Sequence, residues 1–234
     1  MRVLLYLMVA SSFLAADVIS INIKIMELSL YRICLLLLAF ILLLEYLKTN
    51  RKISLLIKND QSIIIRFYFL WFIYSLFSIG WVKDYHSWFR AIFFIGSGFL
   101  CIWVLSSYVK EEKNFKSIFM IIFAMIILHN FIGWNELLTG KYMFADLARI
   151  DRHSQFGYNP AARVPVSMFG NTNDYATFLV IGIFITYIVL LNSNNKSIKA
   201  LSVITILSSI FLIFRTGSRA NLLGLIVGLI VLVY

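Results

Sequence analysis

Apolar runs of about 20 residues recur along the whole chain, and each matches the length an α-helix needs to cross the hydrocarbon core of a bilayer. The chain of 234 residues is 61% hydrophobic and only 14% charged. A soluble domain of this size lacks the interior volume to hide that much apolar surface. The fold class expected is therefore all-α: a polytopic bundle of transmembrane helices.

Reading in that window gives seven complete spans near 3–22, 28–47, 63–82, 90–108, 116–134, 174–191 and 199–214. An eighth run, 220–234, lies at the end of the sequence and carries no charge, cap or stop signal. A helix ending in hydrocarbon would leave carbonyls unsatisfied, so the sequence reads as a fragment of a longer membrane protein. The N-terminus, M-R-V-L-L-Y-L-M-V-A-S-S-F-L-A-A-D, has the layout of a signal peptide. Apolar character resumes after Asp17 and more spans follow, which favours an uncleaved first span. With no internal repeat and no Pro-rich or Gly/Ser-rich linker, 1–234 reads as a single membrane domain. Its one long polar stretch, 135–173, joins spans five and six and holds both prolines, Pro160 and Pro165.

The formal net charge of +10 would suggest nucleic acid in a soluble protein. In a membrane protein it is the ordinary excess of Lys and Arg in cytoplasmic loops, and no nucleic-acid partner is expected. Lys48, Arg51, Lys52 and Lys58 follow span two, Lys110, Lys113 and Lys116 follow span four, and Lys196 and Lys199 follow span six. These alternate loops share one side, which the positive-inside bias makes cytoplasmic, together with the N-terminus. By alternation, 135–173 and the segment R-T-G-S-R, 215–219, face out. Arg149, Arg152 and Arg163 in the long loop do not conflict with this, because long loops follow the charge rule weakly.

Several chemistries lack their signatures. There is no P-loop, no H-E-x-x-H, no D-x-D and no G-x-S-x-G. His86, His129 and His153 are scattered, and Cys34 and Cys101 lie inside apolar runs, where they read as small buried residues. No metal site and no cofactor are expected. Glu45, Arg66, Arg90 and His129 lie at or near span ends and read as interfacial or interhelical residues, while Asp17 and Asp174 are acids of the kind that mark ion pathways.

Two segments remain. In F-R-T-G-S-R-A-N-L-L-G-L, 214–225, Arg215 and Arg219 stand between two spans. Arginines at span ends can snorkel to headgroups. On the outer side, however, the charge bias disfavours them. Gly217 permits a bend, Ser218 offers a hydroxyl, and a helix starting at once points N–H groups at the turn. Arginine beside a helix N-terminus suits phosphate or carboxylate. In R-V-P-V-S-M-F-G-N-T-N-D-Y-A-T-F-L, 163–179, Asn171, Asn173 and Asp174 crowd the mouth of span six. One of them suffices as a helix cap; three suggest a polar site at the membrane surface.

Together these segments resemble the O-antigen ligase and polysaccharide polymerase superfamily. F-G-N-T-N-D-Y-A-T-F-L is similar to the asparagine motif that opens a span there, and R-T-G-S-R-A-N-L-L-G-L is similar to its Ser-Arg signature. G-W-N-E-L-L-T-G, 133–140, resembles the entry to the preceding loop. The resemblance covers 130–234. The family often has proline between the two asparagines, where this chain has Thr172, and its later large outer loop with an essential histidine has no counterpart here. The resemblance implies transfer of glycan from a polyprenyl-diphosphate carrier to an acceptor sugar, at the outer face of the bacterial cytoplasmic membrane. Its products would be O-antigen of lipopolysaccharide, capsule or exopolysaccharide. It also implies a catalytic Arg219 on the diphosphate, assisted by Arg215, Arg163 and Ser218, with Asn171, Asn173 and Asp174 on sugar hydroxyls. Partners would be the lipid-linked oligosaccharide, membrane lipids and other polysaccharide-assembly membrane proteins. The alternatives are a transporter or flippase of lipid-linked sugars, and a non-catalytic membrane subunit.

Overall fold

The computed structural model describes residues 1–14, 20–23, 26–48, 61–109, 112–151 and 153–233. Asp17, Arg51, Lys52, Lys58, Lys110 and Arg152 lie outside the described residues. Helices α1 (Arg2–Ser11), α2 (Leu30–Lys48), α3 (Gln61–Phe77), α4 (Tyr85–Tyr108), α5 (Glu112–Thr139), α6 (Leu147–Ile150), α7 (Thr172–Asn192), α8 (Lys196–Thr216) and α9 (Arg219–Val233) dominate it. Among the described residues, α2, α4, α5, α7 and α8 are long and apolar enough to cross a membrane, and α1, α9 and the stretch 65–80 are shorter apolar helices. The protein is a multi-pass, helical membrane protein, the fold class expected from hydropathy.

One element departs from that expectation. The first helix does not run to residue 22: it stops at Ser11, and β1 (Ser20–Ile23) pairs antiparallel with β2 (Met26–Ser29). The Ser11 and Ser12 hydroxyls donate back to the carbonyls of Met8 and Val9, closing the last turn. Beyond Asp17 the sequence alternates Ile19, Ser20, Ile21, Asn22, Ile23, Lys24, Ile25. β-Branched residues at a period of two fit a pleated strand and not a helix.

The chain forms two compact units. The first comprises 1–12 and 19–115. In it α1 packs on α2, and α4 packs on both α2 and α3. Rings do much of the joining: Phe72 stacks on Phe99, and the Arg32 guanidinium lies 5.2 and 5.0 Å from the ring centres of Phe93 and Phe94. Asp84 caps α4, accepting from the His86 N–H and the Ser87 hydroxyl, and those bonds hold its carboxyl below the usual carboxylate range. Phe67, Leu70, Trp71 and Tyr74 point outward, as apolar side chains of a span do in lipid.

The second unit comprises 13–18 and 116–234. Here α7 and α8 form a tight antiparallel pair, and α9 packs against both. Their shared core holds Leu179 and Ile183 of α7, Leu212 and Ile213 of α8 and Leu225 of α9, with Leu137 of α5. Gly217 takes a left-handed φ of 69° at the end of α8, so the chain reverses there and starts α9 two residues later. The end of α8, the start of α7 and the start of α9 therefore lie at the same end of this unit.

Candidate functional site

The described residues of the connection between α5 and α7 form a strap moored by charged side chains. Arg163, only 9% exposed, donates from Nε to the Phe156 carbonyl at 2.7 Å. Its Nη1 donates to the carbonyls of Leu137 (3.1 Å) and Leu138 (2.7 Å), in the last turn of α5. Those carbonyls have no partner within the helix and sit at the negative end of its dipole, so a buried guanidinium belongs there. Gly140 leaves room for it. Its φ is 70°, and a Cβ on it would meet Arg163 Nε at 2.9 Å. From α8, Arg215 Nη2 donates to the carbonyls of Arg163 (2.8 Å), Ala161 (3.1 Å) and Pro160 (3.4 Å). The Tyr142 hydroxyl donates to the Val164 carbonyl at 2.7 Å. Burial pushes that phenol well above its ordinary range, so it remains a donor.

Two further groups hold the end of the strap. Glu136 is fully buried, and its Oε2 accepts from the backbone N–H of both Val166 and Ser167 at 2.8 Å. His129 bonds the Ser167 hydroxyl through Nδ1 at 2.8 Å and the Phe13 carbonyl through Nε2 at 2.9 Å. A carbonyl only accepts, so Nε2 carries the hydrogen, and in the neutral ring Nδ1 accepts from Ser167. Ser167 has a φ of 57°, a conformation that costs a non-glycine residue about 1–3 kcal/mol and persists only where neighbours fix it.

Next to the strap, two helices start side by side, each with a side-chain bond across its first turn. Asn171 is the N-cap of α7: its Oδ1 accepts the Asp174 N–H at 2.8 Å and its Nδ2 donates to the Asp174 carboxylate at 2.5 Å. Ser218 caps α9, its carbonyl accepting the Leu222 N–H at 3.1 Å. Its hydroxyl, in a residue 5% exposed, accepts from Asn221 Nδ2 at 2.8 Å. Asn221 then ties the two starts together. Its Nδ2 also donates to the Asn173 carbonyl at 3.1 Å, and its Oδ1 accepts from the Thr177 hydroxyl at 3.0 Å. Capping accounts for Asn171 and Asp174, while the exposed Asn173 side chain makes no hydrogen bond to any described residue.

The residues singled out from sequence thus converge at one end of the second unit. Arg163 and Arg215 direct their hydrogen bonds at backbone carbonyls. Arg219, in the first turn of α9, is exposed and makes no hydrogen bond or ion pair to any described residue. The arrangement places two helix N-termini, each with positive dipole character, beside one uncommitted guanidinium and one carboxylate, Asp174. It suits an anionic group next to hydroxyls. Among the described residues, no three His, Cys, Asp or Glu side chains are grouped to hold a metal ion. Sequence reading missed Asn221 and Glu136. A polar Asn three residues after Ser218 in an otherwise apolar helix start signals the first, and a carboxylate at the end of an apolar run signals the second. Nothing in the sequence signals the left-handed Ser167.

Over 230 residues, 98% of this chain, the sequence is 28% identical to the teichuronic acid biosynthesis protein TuaE of Bacillus subtilis (strain 168). The match covers 46% of that protein, so the chain spans about half the length of this relative. No family model matches, and no solved structure does.

Proposed function

We propose that the chain is part of a membrane glycosyltransferase of polysaccharide assembly. It moves glycan from a polyprenyl-diphosphate carrier to an acceptor sugar, as a polymerase or a ligase, at the outer face of the bacterial cytoplasmic membrane. Similarity to a teichuronic acid biosynthesis protein along nearly the whole chain supports a role in polysaccharide assembly. The motif resemblance to O-antigen ligases and polymerases supports the reaction type. The observation that carries the reading is the pair of helix starts pinned by Asn221, with Arg219 uncommitted beside them.

In this reaction the acceptor hydroxyl oxygen attacks the anomeric carbon of the donor. The bond from that carbon to the phosphate oxygen breaks, the diphosphate leaves with the electron pair, and the hydroxyl proton passes to a general base. Negative charge grows on the leaving group, and a fixed guanidinium with oriented helix N–H groups stabilises it where it develops. Arg219 takes that role, with Ser218 at the same helix start. Asn173 and Asp174 face sugar hydroxyls, and Asn171 sets their helix. Arg163 and Arg215, grouped with Arg219 on sequence grounds, serve the site by holding the strap. A lipid-linked donor stays in the bilayer, which is why the enzyme is embedded there.

Arg219→Ala in the full-length protein should reduce long-chain glycan on cells by roughly 100-fold or more, the scale of losing one charge-stabilising donor. Arg219→Lys should restore part of it, since Lys keeps the charge and loses the fork. Protein level in the membrane should not change. Normal glycan from Arg219→Ala would overturn the assignment.

A further inference from the structure

We propose that Glu136 is a positioning residue for the Arg219 site, acting through the amides of Val166 and Ser167 on the start of α7; this rests on the glycosyl-transfer reading. Glu136 is fully buried, in the last turn of α5. One oxygen, Oε2, accepts two successive backbone N–H groups at 2.8 Å, while Oε1 has no hydrogen-bond partner among the described residues. Successive N–H groups turned to one side form an anion cradle. Here the anion is a side chain of the protein itself, and the left-handed Ser167 is what turns the strap toward it.

From that cradle to the N-cap Asn171 the chain has little freedom. The Ser167 hydroxyl is held by His129. The Phe169 ring sits among those of His129, Phe178 and Tyr175, with centres 5.3, 5.2 and 5.9 Å away. The Tyr175 hydroxyl, one turn into α7, donates to the His129 carbonyl at 2.9 Å. Residues 166–175 are therefore fastened to α5 at both ends, by Glu136 and His129 on one side and Tyr175 on the other. The first turn of α7, which carries Asn173 and Asp174, lies within this fastened stretch. Glu136 is too deeply buried to touch substrate. Its effect on transfer passes through the backbone.

The test rests on reach against charge. Glu136→Gln keeps the reach of an acceptor oxygen and loses the charge. Glu136→Asp keeps the charge and withdraws it by one methylene. Full-length protein in nanodiscs is compared by amide hydrogen exchange over 166–175, by binding of undecaprenyl diphosphate, and by glycan transfer. Glu136→Asp and Glu136→Ala should raise exchange at Val166 and Ser167 about tenfold or more, spread it into the first turn of α7, and weaken undecaprenyl diphosphate binding about tenfold. Glu136→Gln should stay within about threefold of wild type in all three. The reverse order, with Asp active and Gln inactive while exchange stays unchanged, would make the charge itself the functional group and overturn the proposal. Wild-type exchange in both Asp and Ala variants would also overturn it. Arg219→Ala serves as the reference: if it binds undecaprenyl diphosphate as well as wild type, the glycosyl-transfer reading fails, and the exchange data still decide whether Glu136 holds the strap.

Discussion

Among the described residues, the unit of 13–18 and 116–234 buries eleven polar or charged side chains, from His129 to Ser218, while that of 1–12 and 19–115 buries two, Ser11 and Asn114. A polar group withdrawn from water is unfavourable unless it finds partners, and in a lipid-embedded chain the alternative is apolar packing, which comes without that cost. The first unit takes the alternative and is joined by rings and aliphatic contacts. The second repeatedly takes the costly option, and most of these groups find partners: Asn130 with Ser208 and Ser209, Trp134 with Ser208, Arg163 with three carbonyls, and one oxygen of Glu136 with two amides, while Glu136 Oε1 and Thr186 Oγ1 have none among the described residues. Glu136, Arg163, Ser167, Thr216 and Ser218 lie at the end of the unit where Arg219 stands, while Thr186, Ser202, Thr205 and Ser209 lie further along α7 and α8. The charged pair of that group, Glu136 and Arg163, fits the polar site proposed there.

The comparison can be broken by substitution. The largest effect on stability is expected from Arg163→Ala, which leaves the carbonyls of Leu137 and Leu138 at the end of α5 and of Phe156 in the strap without their donor. A loss of about 3 kcal/mol or more should appear in thermal unfolding in detergent, together with loss of glycan product. A change under about 1 kcal/mol would mean the strap is not held as described. Asn171→Ala removes the cap of α7 and should cost about 1 kcal/mol, with Asn171→Ser restoring most of it. The smallest effect is expected in the first unit. Arg32→Met loses the contact with Phe93 and Phe94, worth about 0.5–1 kcal/mol, and should leave glycan output at wild-type level. A glycan defect there with normal protein level would show that function is not confined to the second unit.

Hydropathy alone made α2, α4, α5, α7 and α8 legible, because twenty apolar residues in lipid have few options. It misread the first span, where total apolar content hid a change from helical to alternating period at Ile19. The candidate site was legible as residue types that the fold brings to one end of the second unit, and not as the partners each one takes. Three arginines with the same chemistry differ only in what surrounds them: Arg163 and Arg215 meet helix-end and strap carbonyls, and Arg219 meets none. That difference depends on Gly140 and Gly217 adopting left-handed turns that bring distant segments together, which local sequence does not specify.

On the glycosyl-transfer reading, Arg219 and the two helix starts beside it stabilise a leaving diphosphate. The most direct measurement supplies full-length protein in proteoliposomes with a polyprenyl-diphosphate-linked oligosaccharide and an acceptor on the side that Arg219 faces, and follows both the glycan and the carrier. Longer glycan and free polyprenyl diphosphate should appear in step with each other, with Arg219→Ala at about a hundredth of the wild-type rate or less. Lipid-linked substrate crossing the bilayer without any change in glycan length, or equal elongation by wild type and Arg219→Ala, would contradict it.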